Sequence, residues 1–308
     1  MKKIVSDVIK KITNNDLNMK KNYKLFRILQ NIVMADFINS NSYEDMEFDL
    51  DDRTIEARVF NRVTNPNGLI IYIHGGGWVL GSKESYTKTC LELAEKTKRI
   101  VISIDYRLAP EYPFPNGLND CYECIKIIMN NLDKMGFNNK DVCLMGDSAG
   151  GNLVAAIIIK MRETLDFKIE KQILLYPSLQ ADYSINTKYK SVITKGKDYF
   201  LTQKLLEEYI SLYVTDKKDL NNPFVSPLKD KFLFFYPETL IITSDNDPLR
   251  DDGRSYANKL RLYFNKVKYY NIVGAVHGFL NNPLDKESKE YAYERIIEFL
   301  GDIDESKK

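Results

Sequence analysis

The sequence predicts an α/β fold: a mainly parallel central sheet with helices on both faces and a helical cap. Three observations carry that prediction. Short, nearly unbroken apolar runs recur along the chain, and helical stretches separate most of them. The segment "CLMGDSAGGN" (143–152) sets a serine among glycines where one such run passes into the helical "LVAAIII". One connection of more than fifty residues then breaks the alternation, which in an α/β domain marks a lid or binding element.

The elements follow in order. Ile4, Val5, Val8, Ile9 and Ile12 recur at helical spacing, as do Leu25, Phe26, Leu29, Ile32 and Val33, so two amphipathic helices precede about residue 40. The first is basic on its polar face; that suits a membrane surface, but docking against the body of the protein is the more ordinary role. "MEFDLDD" and "TIEARVFNRV" flank an Asp-Asp turn and predict an antiparallel pair. "LIIYIH", "IVISIDY", "VCLMG", "QILLYP", "TLIITS" and "KYYNIV" read as buried strands. Helices are expected over 84–97, 117–132, 149–163, 252–264 and 286–300, the last ending at Gly301 as its C′ residue. Within the long insertion, Thr202 is an N-cap for a helix with Leu205, Leu206, Tyr209, Ile210 and Tyr213 on one face.

Composition narrows the function classes. With 44 Lys+Arg against 43 Asp+Glu, there is no positive surplus to draw the chain to nucleic acid. Local basic patches are still allowed. Cys90, Cys121, Cys124 and Cys143 read as free thiols, since a chain of 308 residues needs no disulfides to hold its core. Cys121 and Cys124 form a C-x-x-C in a helical segment and read as two semi-buried cysteines, with no further ligands near to complete a zinc site. Asp7, Lys10 and Lys11 interrupt the N-terminal apolar stretch, so it is not a signal peptide, and no window is apolar enough to span a bilayer. The expected location is the cytoplasm.

The chemistry centres on Gly146-Asp147-Ser148-Ala149-Gly150, a G-x-S-x-G elbow between strand and helix. A serine nucleophile needs a base, and a histidine base needs an orienting carboxylate. The chain has two histidines. His277, in "VGAVHGFL" after the last apolar strand, is the better base. His74 begins "HGGGW", and its role is to brace that loop. The glycines Gly75, Gly76 and Gly77 let backbone N–H groups turn outward and approach an oxyanion, with Ala149 N–H as partner. The acid lies in "LIITSDNDPLRDDG": Asp247 precedes Pro248, which fixes the turn, Asp245 rivals it on spacing, and Asp251 and Asp252 look like first-turn helix acids. Asp147 hydrogen-bonds surrounding loops and is neither acid nor base. Asp105, Tyr106 and Arg107 form a structural network near the glycine loop, and Trp78 either lines an acyl pocket or packs.

Together "HGGGW", "DYRLAPEYPFP", "GDSAGG", "DPLRDDG" and "HGF" resemble, in order, the hormone-sensitive-lipase-like carboxylesterases of the α/β-hydrolase superfamily, over about residues 68 to 280. The resemblance implies an α/β-hydrolase fold with Ser148 as nucleophile, His277 as base and Asp247, not Asp245, as acid. It implies an oxyanion hole from Gly76, Gly77 and Ala149, behind which His74, Gly75 and Asp147 are expected as support. A single domain is expected over 1–308, and the resemblance suggests a cap from about 1–40 and about 180–230. The expected activity is hydrolysis of short-chain acyl esters, without metal or organic cofactor. The alternatives are an amidase or deacetylase with the same residues, or a non-catalytic receptor on the same fold. The expected partner is a small-molecule ester, with pairing of two copies through an edge strand or helix also implied.

Overall fold

The apolar runs of the sequence become strands, and their burial explains why each is unbroken. A computed structural model describes residues 18–34, 42–61, 63–197 and 201–301. β1 (Glu44–Leu50) and β2 (Arg53–Phe60) are the antiparallel pair expected around Asp51-Asp52. β3 (Leu69–Ile73), β4 (Ile100–Asp105), β5 (Val142–Asp147), β6 (Lys171–Leu175), β7 (Glu238–Asn246) and β8 (Val267–Val276) run parallel. The eight strands form one sheet in the order β1-β2-β4-β3-β5-β6-β7-β8.

Every residue of β3 is buried, because both faces of the sheet are covered. Ile70 and Tyr72 join one core, and Ile71 and Ile73 the other, following the two-residue alternation of a strand. α1 (Met19–Met34) precedes the sheet. α2 (Thr87–Thr97) and α8 (Lys286–Leu300) cover one face. α3 (Asn116–Asn130), α4 (Ala149–Thr164) and α7 (Arg250–Leu262) cover the other. α5 (Lys190–Lys195) and α6 (Gln203–Tyr213) lie in the long insertion, and Thr202 caps α6 by accepting from Leu205 N–H at 3.2 Å. Gly301 ends α8 with φ +83°.

Two expectations need correction or restriction. The helix expected around Ile4–Ile12, and with it part of the 1–40 segment, lies outside the described residues. In α1 the expected apolar face is only partly used: Phe26 packs in the core and Leu29 is half-buried, but Leu25 and Ile32 are exposed. Polar side chains seat the helix as well. Arg27 donates to the carbonyls of Val79 (2.7 Å) and Ala109 (2.8 Å), and Gly81 N–H donates to Gln30 (3.0 Å).

All four cysteines are buried, and burial pushes the thiols of Cys90 and Cys124 up to about 12. Cys121 and Cys124 are thus core side chains of α3. Among the described residues, no helix is long and apolar enough to cross a membrane, and no cluster of His, Cys, Asp and Glu has the makings of a metal site.

Parallel strands place their carboxyl ends on one edge. His74 follows β3, Ser148 follows β5, Asp247 follows β7 and His277 follows β8. Residues far apart in sequence are therefore delivered to one crevice.

Candidate active site

Where β5 passes into α4 the chain turns so tightly that Ser148 has φ +54° and ψ −119°. Such a conformation costs about 1–3 kcal/mol in a non-glycine residue and persists only where its surroundings hold it. Here Ser148 N–H donates to Leu175 O at 2.9 Å, and its carbonyl accepts from Asn152 N–H (3.1 Å) and Ser178 N–H (3.2 Å). The flanking glycines are steric necessities. A Cβ on Gly150 would lie 2.0 Å from Ile73 O, and one on Gly146 would lie 2.6 Å from the Gly150 backbone.

Ser148, His277 and Asp247 lie in one hydrogen-bonded line. His277 Nε2 is 2.9 Å from Ser148 Oγ, and His277 Nδ1 is 2.7 Å from Asp247 Oδ2. Asp247 is fully buried, and its other oxygen accepts from Leu249 N–H at 2.8 Å. The carboxylate is an acceptor, so Nδ1 carries the proton and Nε2 is left to accept from the serine hydroxyl. A register irregularity between Ser244 and Asn246 immediately precedes Asp247, a place where strands commonly re-aim a side chain. The Tyr176 ring abuts His277 edge-on at 5.0 Å.

The rival acids lie elsewhere. Asp245 pairs with Arg250 at 3.2 Å. Asp251 and Asp252 do stand in the first turn of α7, but both are buried rather than simply facing the helix dipole. Asp251 accepts from Ser191 N–H (2.9 Å); Asp252 accepts from Leu179 N–H and Tyr183 O–H, both at 3.0 Å.

The glycine loop after β3 folds back on itself. Gly76 O accepts from Val79 N–H (3.2 Å) and Leu80 N–H (2.8 Å), which leaves the loop's amides facing outward. Among the described residues none accepts a hydrogen bond from the N–H groups of Gly76, Gly77 or Ala149, and all three residues line the central cavity. His74 is fully buried behind the loop. Its Nδ1 donates to Gly75 O (2.8 Å), and its ring stacks on Tyr106 at 4.4 Å. Burial lowers its pKa to about 4, so it is neutral at physiological pH.

Asp147 ties the elbow to the glycine loop. Oδ1 accepts from Tyr72 O–H and Gly75 N–H, both at 2.9 Å, and Oδ2 accepts from Tyr86 O–H at 3.0 Å. Burial pushes this carboxyl upward, while those donors pull it back. The Asp105–Arg107 network is present too: Tyr106 O–H donates to His74 O at 2.9 Å, and Arg107 forks onto Asp120 at 2.8 and 2.9 Å. The two tyrosines on Asp147 and the arginine fork to Asp120 were not singled out in the sequence.

The line of three residues opens into a cavity of about 310 Å³. Its walls are mainly apolar: Phe26 and Leu29 from α1, and Leu205, Leu206 and Tyr209 from α6. Trp78 both lines the cavity and packs, stacking on Tyr213 at 4.4 Å with the rings 3° from parallel. A strained serine, a histidine poised on its hydroxyl and free backbone donors beside an apolar cavity suit attack on an uncharged carbonyl compound.

Known proteins share this architecture. Residues 70–281 match a family profile described as alpha/beta hydrolase fold. The chain is 36% identical over 241 residues to an arylesterase of Saccharolobus solfataricus, a match covering 78% of this chain and 77% of the relative. It is 31% identical over 221 residues to a carboxylesterase of Mycobacterium tuberculosis, covering 70% of this chain and 67% of that one. A solved hyperthermophilic esterase from the archaeon Pyrobaculum calidifontis superposes with a TM-score of 0.85 at 30% identity, covering 97% and 96% of the two chains.

Proposed function

Because the chain belongs to the α/β-hydrolase family, in its hormone-sensitive-lipase-like branch, and is a carboxylic ester hydrolase, we propose that it cleaves short-chain acyl esters through an acyl-enzyme on Ser148. The observation that carries this reading is the unbroken line Ser148 Oγ–His277 Nε2 (2.9 Å) and His277 Nδ1–Asp247 Oδ2 (2.7 Å) at the wall of the cavity.

In the proposed course, Ser148 Oγ attacks the ester carbonyl carbon as His277 Nε2 takes its proton. Asp247 holds the ring in the required tautomer and stabilises the imidazolium. The carbonyl oxygen becomes an oxyanion and is met by the N–H groups of Gly76, Gly77 and Ala149, the last reinforced by the N-terminal end of α4. Collapse breaks the ester C–O bond, and the leaving oxygen takes the proton from His277. Water then adds to the acyl-enzyme by the same route and releases the acid. His74, Gly75 and Asp147 act behind this, holding the glycine loop against the elbow.

α1 and the segment around 180–230 are proposed as the cap. In support, Met19 N–H donates to Glu208 on α6 at 2.7 Å, and both helices contribute walls to the cavity. A cavity of about 310 Å³ bounded by Trp78, Tyr209 and leucines suits a small acyl group, and the arylesterase relative suggests aromatic alcohols as leaving groups. The test is Ser148→Ala with p-nitrophenyl acetate and butyrate. Turnover is expected to fall by about 10⁴-fold or more. Undiminished turnover in the folded variant overturns the mechanism. A rate optimum at long-chain triglyceride overturns the short-chain assignment.

A further inference from the structure

We infer that the end of the molecule opposite Ser148 carries a docking surface for an anionic lipid bilayer, built from the 231–237 loop and the turn between α7 and β8. Phe232, Phe234 and Phe235 on the loop are 69, 47 and 95% exposed, and Leu262 at the end of α7 and Phe264 on the turn are 76 and 91% exposed. Isolated exposed apolar residues are ordinary, but contiguous ones mark an interaction site.

These five belong to one platform. The Phe234 ring meets Tyr263 edge-on at 4.8 Å. Tyr236 N–H donates to Asn265 Oδ1 at 3.0 Å, and Tyr263 O–H donates to Lys231 O at 3.2 Å. Asn265 Nδ2 in turn donates to Leu233 O and Leu260 O. Phe235 and Phe264 both have φ +61°, a region that bulky residues avoid. Neither ring is buried among the described residues, and at Phe264 backbone bonds rather than ring packing hold the turn: Phe264 N–H donates to Arg261 O (2.9 Å) and Asn265 N–H to Leu260 O (3.2 Å). The rings are instead held outward at the tips of two turns.

Charge selects the partner. Lys231 and Lys266 are exposed in the same two segments, and Lys229 and Arg261 are exposed beside them. The described residues 229–237 and 259–268 contain one carboxylate, Asp230, which is buried and held by Arg162 (2.7 Å) and Tyr236 O–H (2.6 Å). Further along α7 a polar cavity is lined by Lys188, Lys190 and Arg254, where Asp251 pairs with Arg254; Lys259 is half-buried there, its Nζ donating to Leu228 O and Asp230 O. Glu238 at the start of β7 and Glu298, paired with Lys268 at 3.5 Å, border these segments, but the exposed charges within them are all positive. Aromatic rings that enter the acyl–headgroup boundary, flanked by lysines that meet lipid phosphates, fit an anionic membrane surface. A second copy of this face would bring cation against cation.

The orientation follows from the sheet. Both segments precede the first residues of β7 and β8, whereas Ser148 follows the last residue of β5. A docked molecule therefore keeps its cavity toward water, and hydrolysis of soluble esters is independent of docking.

The full chain is sedimented with vesicles of phosphatidylcholine alone and of phosphatidylcholine mixed with phosphatidylglycerol. Binding to the phosphatidylglycerol vesicles is expected at low salt, fading as salt rises. The double variant F235N/F264N lowers that partition roughly tenfold or more. Its unfolding midpoint does not fall, because asparagine tolerates positive φ. K231E/K266E lowers binding comparably and flattens its salt dependence. Turnover of p-nitrophenyl acetate is unchanged in every variant, which separates this test from that of the hydrolytic mechanism. Wild-type protein that stays in the supernatant at low salt, or F235N/F264N that sediments like wild type, overturns the inference. So does wild-type self-association that F235N/F264N abolishes, which would make the patch an interface between copies.

Discussion

Asp245 and Asp247 lie two residues apart and differ in what they can reach. Asp247 is buried, with one oxygen on His277 and the other on Leu249 N–H; Asp245 is half-buried and bound to Arg250. Losing the Asp247 charge frees His277 to take the wrong tautomer. Asp247→Asn is therefore expected to lower kcat for p-nitrophenyl acetate by about 10⁴-fold. Asp245→Asn removes a half-exposed ion pair and should change kcat by less than about threefold. Equal losses in the two variants would count against Asp247 as the orienting acid. Spacing could not separate these carboxylates, because both follow the same strand, and the family resemblance was needed to choose. Tyr72 and Tyr86 show the other limit of the sequence. They donate to Asp147 from 75 and 61 residues away, and no local pattern marks a tyrosine for a carboxylate that distant.

The glycine loop is shaped by the elements that close over it. Arg27 and Gln30 of α1 hold its far side, while α6 sets Tyr209 against Gly77 and Tyr213 against Trp78. Gly77 has φ +63°, and a Cβ there would lie 2.4 Å from the Tyr209 ring. Gly77→Ala must push the loop or α6 aside and misplace the amide donors. It is expected to lower kcat/KM by about 10²-fold, the scale of one lost oxyanion donor. Made in a Tyr209→Ala background, the same change should cost much less, since the ring is gone and only backbone strain remains. A double-mutant cycle on purified variants measures that coupling, and strict additivity would remove α6 from the account. Most elements were legible in the sequence because central strands are dry on both faces and read as unbroken apolar runs. The seating of α1 was legible only in part: periodicity pointed to Phe26 and Leu29, which face inward, but also to Leu25 and Ile32, which are exposed, and it ignored Arg27 and Gln30, whose hydrogen bonds also hold the helix.

At the scale of the molecule, the long insertion must be tied to the sheet if it is to shape the cavity. Its length was plain in the sequence, but its anchors are buried polar contacts that have no sequence signature. Asn152 on α4 donates to Ser178 O and Val225 O, both at 2.8 Å, and Asp252 on α7 accepts from Leu179 N–H and Tyr183 O–H. Burial raises the Asp252 carboxyl from 3.8 to about 8, against the pull of those two donors. The folded protein thus keeps a proton that the unfolded chain loses near pH 4. That contribution to stability is complete below about pH 4 and is lost as pH rises through about 8. Asp105, raised to about 6 by burial, slopes the same way over the lower part of that range. His74, lowered from 6.5 to about 4 by burial, slopes the opposite way and offsets it. Above about pH 6.5 the fall due to Asp252 stands clear of both, although Asp147, also raised by burial, has the same sign. Comparison with Asp252→Asn, which keeps a carbonyl acceptor but cannot ionise, isolates the one proton. Denaturant unfolding between about pH 6.5 and 8.5 should show wild-type stability falling faster than that of the variant, by at most about 1.4 kcal/mol per pH unit. Parallel curves would mean that Asp252 is already ionised in the folded protein, and that the insertion is anchored by a buried charge rather than by a neutral acid.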